Sequence, residues 1–165
     1  MWALALGFGA WSVWLWPDLP ARIPTHFDLS GTPDAWSDRS VWSWFGLPLI
    51  TLGTVLFLDV VTRWSLRNPE APALNLPNKA AILALPAKRR APVLARVAWT
   101  MYAIGTVCVV AFILIQFGTL AEAQGAGGQG WILAGILVTL IAPLAMLVVG
   151  LVRIDAEVKR QREAS

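Results

Sequence analysis

The single histidine of this chain, His26, stands among carboxylates. Asp28 and Asp34 follow it, and Asp18 and Asp38 flank the segment. An imidazole near a carboxylate can trade protons close to neutral pH, hold a metal ion or bind a charged ligand. The neighbouring residues are suited to fixing its position. Pro20, Pro24 and Pro33 lock φ and push the residues before them towards extended backbone. Asp28-Leu29-Ser30-Gly31 has turn chemistry, with a side chain that bonds its own backbone and a glycine able to take positive φ. Phe27 and Trp36 are aromatic rings suited to a membrane–water interface. Asp34 to Ser40 leads into an apolar run, with Ser37 or Asp38 as the expected N-cap.

Three readings of this segment stay open. In the first, His26 and a carboxylate or carbonyl lock the loop. In the second, the loop binds a peptide, a lipid headgroup or another ligand. In the third, His26, Asp28 and Asp34 hold a divalent metal or act as an acid–base group, although the spaced pair of histidines usual in zinc sites is missing. Ser30 lies near His26, but no nucleophile elbow surrounds it. The one cysteine, Cys108, lies in an apolar run, so the chain has neither an internal disulfide nor a cysteine metal site. No cofactor is expected, and a divalent ion enters only under the third reading.

The elements that must carry this loop are membrane helices. Hydrophobic residues make up 57% of the 165 and charged residues 14%, well below the quarter or so usual in soluble domains. The apolar residues cluster at about 2–16, 41–61, 97–117 and 131–152. The last two runs carry no charge and are long enough to cross about 30 Å of hydrocarbon, where only self-bonded backbone is tolerated. The first run is short and is read as a retained span, since it has no basic leader and no clear cleavage site. The expectation is an all-α integral membrane protein of four transmembrane helices in one domain over 1–165. It has an outer loop at 17–40, a basic inner loop at 62–96, a second outer loop at 118–130 and a tail at 153–165.

Charge orients the bundle. The 62–96 loop holds Arg63, Arg67, Lys79, Lys88, Arg89, Arg90 and Arg96 against Glu70, and the tail adds Arg153, Lys159, Arg160 and Arg162. Cytoplasmic loops collect Lys and Arg, so both termini are expected inside and the His26 loop outside. Trp14, Trp16, Trp42, Trp44 and Trp131 then fall at the outer interface, and Trp2, Trp64 and Trp99 at the inner one. Gln116 is also expected at the outer interface. Pro48 and Pro143 each remove a backbone donor from a span. Gly135 with Thr139, and Ala3 with Gly7, have the spacing that lets helices approach closely. Asp59 is the one acid within a span, and Arg63 one turn later offers it an i,i+4 partner.

In the inner loop, Pro69, Pro72, Pro77, Pro86 and Pro92 exclude one long helix over 68–92. Asn78 is the expected cap of a short helix over 79–85, whose Ile82, Leu83 and Leu85 would meet the membrane surface. Lys88, Arg89 and Arg90 attract anionic lipid. With Asn78 and Lys79 they also form the candidate docking surface for a cytoplasmic partner. Nucleic acid is not an expected partner, because these cations lie against the bilayer.

The pattern Leu19-Pro20-x-x-Ile23-Pro24-x-His26-Phe27, followed by Gly31-x-Pro33-Asp34-x-Trp36, resembles the bacterial membrane domain of unknown function shared with SdpI-type immunity proteins. Asn75-Leu76-Pro77-Asn78-Lys79 is similar to that family's inner loop, and Arg39 stands where the family usually has lysine. The resemblance covers roughly residues 10–90. It implies immunity to a secreted toxin and recruitment of a cytoplasmic repressor, although the SdpI-type protein has further spans that this chain lacks. The resulting expectation is a non-enzymatic, multi-pass protein of the bacterial cytoplasmic membrane. It senses a ligand or confers immunity through Pro20, Pro24, His26, Phe27, Asp28, Gly31, Pro33, Asp34 and Trp36. Its expected partners are the lipid bilayer, a secreted peptide or toxin outside, a cytoplasmic protein inside and a second copy of the chain. The competing expectations are a metal-dependent or acid–base membrane enzyme centred on His26, and a small transporter or accessory subunit.

Overall fold

The apolar runs are helices in the computed structural model, which describes residues 1–68, 70, 76 and 78–163. Helix α1 is Trp2–Leu15, α2 is Val41–Arg67, α3 is Lys79–Ala84, α4 is Ala87–Ala123 and α5 is Gln129–Glu163. Between α1 and α2 the chain forms a short 3₁₀ turn and two antiparallel strands, β1 (Arg22–Phe27) and β2 (Pro33–Asp38). The all-α expectation is therefore corrected: the prolines that bias this loop to extended backbone, with the turn between them, make a β-hairpin.

Helices α2, α4 and α5 are long and apolar enough to cross a membrane. Only 11% of the most apolar window of α5 is buried, so most of its Leu and Val side chains face outward, as lipid-facing residues do. Helix α1 has 14 residues, about 21 Å at 1.5 Å per residue, which is short of the hydrocarbon thickness. It lies along α2 and α4, where Ala5 packs with Val55 and Val109.

Both α4 and α5 run past their apolar spans. The expected tail at 153–165 is helical to Glu163, and α4 begins at Ala87, within the expected inner loop. Apolar length alone misses these extensions. The α5 extension carries side-chain pairs one turn apart, Lys159 with Asp155 at 2.9 Å and Arg160 with Glu157 at 2.7 Å, and Val93 and Val97 of α4 pack against its Ile154 and Val158. Pro86 precedes α4 and Pro92 sits in its second turn, whereas Asn75, Pro69, Pro72 and Pro77 lie outside the described residues.

Helices α4 and α5 form an antiparallel pair. A Cβ on Gly135 would lie 2.8 Å from the Ala111 carbonyl oxygen, so only glycine permits this approach. Gly7 has open space around its missing Cβ, so the Ala3–Gly7 pair brings no helix close. At the far end of α4, the Glu122 carboxylate accepts from the backbone N–H groups of Gly128 (2.5 Å) and Gln129 (3.0 Å), capping the start of α5.

The helix ends carrying the hairpin share a buried polar chain. Pro48 has no N–H, so the Trp44 carbonyl one turn back has no helical partner. The Gln116 side-chain amide of α4 donates to it at 3.2 Å. The Trp44 indole N–H in turn donates to the Ser12 carbonyl at the end of α1, at 2.9 Å. Gln116 and Trp44 are both buried between the helices. Each is drawn inward by a carbonyl that its own helix leaves unpaired.

At the opposite, basic end, Ile82 and Leu85 pack with Val93, Val97, Ile154 and Val158 instead of meeting the membrane surface. Asn78 holds the N-cap position of α3, as expected, but its side chain makes no capping bond. It has φ 63°, and its side-chain amide donates to Asp155 at 2.6 Å. Asp59 accepts from Arg63 Nε at 2.9 Å and from the Tyr102 hydroxyl at 3.1 Å, joining α2 to α4.

Candidate functional site

The hairpin caps one end of the bundle and is fixed at its root, its base and its tip. At the root, Ile23 is fully buried in a cluster with Leu19, Trp44 and Leu120. At the base, the Arg39 guanidinium donates to the carbonyls of Leu19 (2.7 Å) and Pro17 (3.3 Å) and stacks over the Trp16 ring. It thereby serves carbonyls of the 3₁₀ turn and of Leu19 just beyond it, tying the start of α2 to the segment that follows α1. Helix α2 starts immediately after, with Ser40 and Ser43 in a reciprocal capping box, so Ser40 is the N-cap and not Ser37 or Asp38. At the tip, Gly31 is buried against α5, where a Cβ would lie 3.1 Å from the Gln129 carbonyl oxygen. Its φ of +80° favours glycine independently of that contact.

The turn is organised by Asp28. Its carboxylate oxygen Oδ1 accepts from Ser30 N–H (2.8 Å), the Ser30 hydroxyl (2.6 Å) and Thr32 N–H (3.0 Å). The backbone closes in parallel, with Asp28 N–H donating to the Thr32 carbonyl at 2.9 Å. The Ser30 hydroxyl, followed by the Thr32 and other backbone donors, holds the Asp28 carboxyl below its ordinary pKa.

His26 and Asp34 meet across the strands. Imidazole Nδ1 lies 2.5 Å from Asp34 Oδ1, so the Nδ1 proton is donated to the carboxylate. The register slips between Pro24 and His26, and this bulge leaves Thr25 outside the paired register, its hydroxyl 3.4 Å from that of Ser37. A bulge re-aims the side chains around it. His26 and Thr25 are both exposed. The His26 side chain is 70% exposed and that of Asp34 48%.

The expected site residues thus divide. Pro24 and Gly31 are buried, and Pro20, Phe27 and Pro33 are half-buried, forming the frame. His26, Asp34 and Trp36 are exposed on it, while Asp28 is exposed but committed to the turn. Among the described residues, no group of three His, Cys, Asp or Glu side chains is placed to hold a metal ion. At the basic end, Arg90 donates to the Leu83 and Leu85 carbonyls, Arg89 to the Gln161 carbonyl and Lys79 to the Glu70 carbonyl, while Lys88 is exposed. Arg39, Trp44 and Gln116 are the positioning residues that sequence reasoning missed. The Ser40-x-x-Ser43 spacing ahead of an apolar run was the signal available for the cap.

Fold and site together define a helical protein of membrane type, with a rigid polar hairpin across one end of its bundle. Residues 3–52, which cover α1, the hairpin and the first part of α2, are similar to a family described as a domain of unknown function, DUF1648. No curated protein and no solved structure matches the chain.

Proposed function

We propose that this chain is a four-span protein of the bacterial cytoplasmic membrane, with both termini inside and the hairpin outside. There it senses or neutralises an extracytoplasmic ligand. The observation that carries this reading is the exposed His26–Asp34 pair on a frame that does not need it. A solvent-exposed ion pair contributes about 0–1 kcal/mol. The turn, the buried Ile23 and Arg39 already hold the hairpin in place. A paired imidazole and carboxylate, fixed in position and open to solvent, is a preorganised binding group.

The SdpI-like motif over residues 19–36 favours a secreted peptide or toxin as the ligand, and a cytoplasmic protein docking at the basic end as the recipient of the signal. Transmission requires the ligand to bind one arrangement of the helices more tightly than another. The hairpin touches α1 and α2 at its base, α4 through Leu120 and α5 through Gly31, so it is well placed to bias their packing.

The test is survival of toxin-sensitive cells carrying the wild-type chain, His26→Ala or Asp34→Ala, exposed to secreted peptide toxins, with the membrane level of each variant measured in parallel. The expected outcome is wild-type accumulation with protection lost in both variants. Protection retained by both would remove the proposal. Failure of both to accumulate would make the pair a structural lock instead.

A further inference from the structure

The basic end of the α4–α5 pair holds a small cavity, about 250 Å³, lined by Arg96, Arg153, Ala156, Glu157 and Arg160. Its charges are unevenly matched. Glu157 is buried, and its Oε1 already accepts from Arg160 Nη2 at 2.7 Å and from Gln161 Nε2 at 2.8 Å. Among the described residues, neither Arg96 nor Arg153 forms an ion pair with a carboxylate. Arg153 is nonetheless held in place, its guanidinium 5.5 Å above the Trp99 ring. The cavity therefore presents two guanidinium groups without a direct carboxylate contact, Arg96 acting on Glu157 only through space and Arg153 pre-oriented over Trp99.

Height selects the ligand. Arg96 directly precedes the apolar run 97–117, and Arg153 directly follows the run 131–152. With the apolar runs taken as the spans, both residues fall at the edge of the hydrocarbon, next to the headgroup layer on that side. Trp99 beside them is the amphipathic ring expected at that depth. The anion most concentrated at this level is a membrane constituent. Guanidinium groups recognise phosphate oxygens by paired N–H donation, which an ammonium cannot reproduce.

We propose that the Arg96–Arg153 cavity is a binding site for the phosphodiester of one anionic phospholipid of the adjoining leaflet. The site is distinct from the hairpin and independent of its ligand. The test uses purified full chain in lipid nanodiscs of phosphatidylcholine with or without phosphatidylglycerol, followed by native mass spectrometry of the released protein. The wild type is expected to retain one phosphatidylglycerol in preference to phosphatidylcholine. Arg96→Gln with Arg153→Gln should lower that retention on the order of tenfold. The two Lys variants should fall between, because charge is kept and the paired donors are lost. If the double Gln variant does not accumulate, each single Gln variant should show a severalfold loss.

A matched control removes two exposed cations of the same end that lie outside the cavity, Arg67→Gln with Lys88→Gln. An equal loss there would reduce the effect to diffuse surface attraction and overturn the site. Displacement of the lipid by inorganic phosphate would assign the cavity to a soluble anion and overturn the lipid proposal. Unchanged retention in the Arg96/Arg153 variants would also overturn it.

Discussion

Asp28 and Asp34, both exposed and near His26, do different work because they meet different donors. Asp34 meets one imidazole proton, whereas Asp28 meets two backbone N–H groups and a hydroxyl. The Asp28 bonds are made by its ionised form, which is why its pKa is depressed. A depressed carboxyl contributes stability above its ordinary value of about 4, and that contribution is lost as pH falls through the lower folded value. The turn is therefore expected to stay closed from about pH 5 to 8 and to open only in stronger acid. The Thr32 amide proton, followed by NMR in micelles, should show no transition in the neutral range, and Asp28→Asn should weaken its protection throughout. A Thr32 transition within the neutral range would contradict this assignment.

At the scale of elements, the sequence was most legible where partners are near in the chain. The Asp28–Gly31 turn, the Asp59–Arg63 pair and the short helix after Asn78 all depend on residues a few positions apart. The strands were not named, because three prolines and a bulge erase the alternation that marks a strand. The Trp44–Ser12 and Gln116–Trp44 bonds span 32 and 72 residues. They depend on which helices become neighbours, and sequence spacing does not reveal that. Pro48 is the link, since it creates the open carbonyl that Gln116 fills. Gln116→Leu should then cost about 1 kcal/mol, the usual value of such a bond weighed against an unmet buried carbonyl. In a Pro48→Ala background the helix can supply its own N–H to Trp44, and the same substitution should cost less or become favourable. Thermal unfolding in detergent of the four-member cycle measures the difference. Equal costs in both backgrounds would show that the proline and the glutamine act separately.

For the whole molecule, the decisive quantity is which side of the bilayer the hairpin occupies. Charge is lopsided along the bundle: eleven of the thirteen Lys and Arg lie at or beyond the end opposite the hairpin, and only Arg22 and Arg39 lie on the hairpin side. Of those two, Arg39 is engaged with the Leu19 carbonyl and Arg22 reaches the Trp36 carbonyl. Cationic loops resist translocation, which is the basis of the proposed orientation with the basic end in the cytoplasm. Ser30 is exposed at the hairpin tip, and replacing it with cysteine gives a chemical reporter of position. The native Cys108 lies near the middle of the apolar part of α4, where a charged reagent does not reach, and a Cys108→Ala background removes it altogether. With Ser30→Cys, a membrane-impermeant maleimide should label intact spheroplasts as fully as lysed ones, whereas a cysteine at exposed Lys88 should label only after lysis. The reverse pattern would put His26 in the cytosol, out of reach of any secreted ligand. It would also move the Arg96–Arg153 cavity to the other leaflet without changing its depth, so the lipid site would outlast a failure of the sensing role.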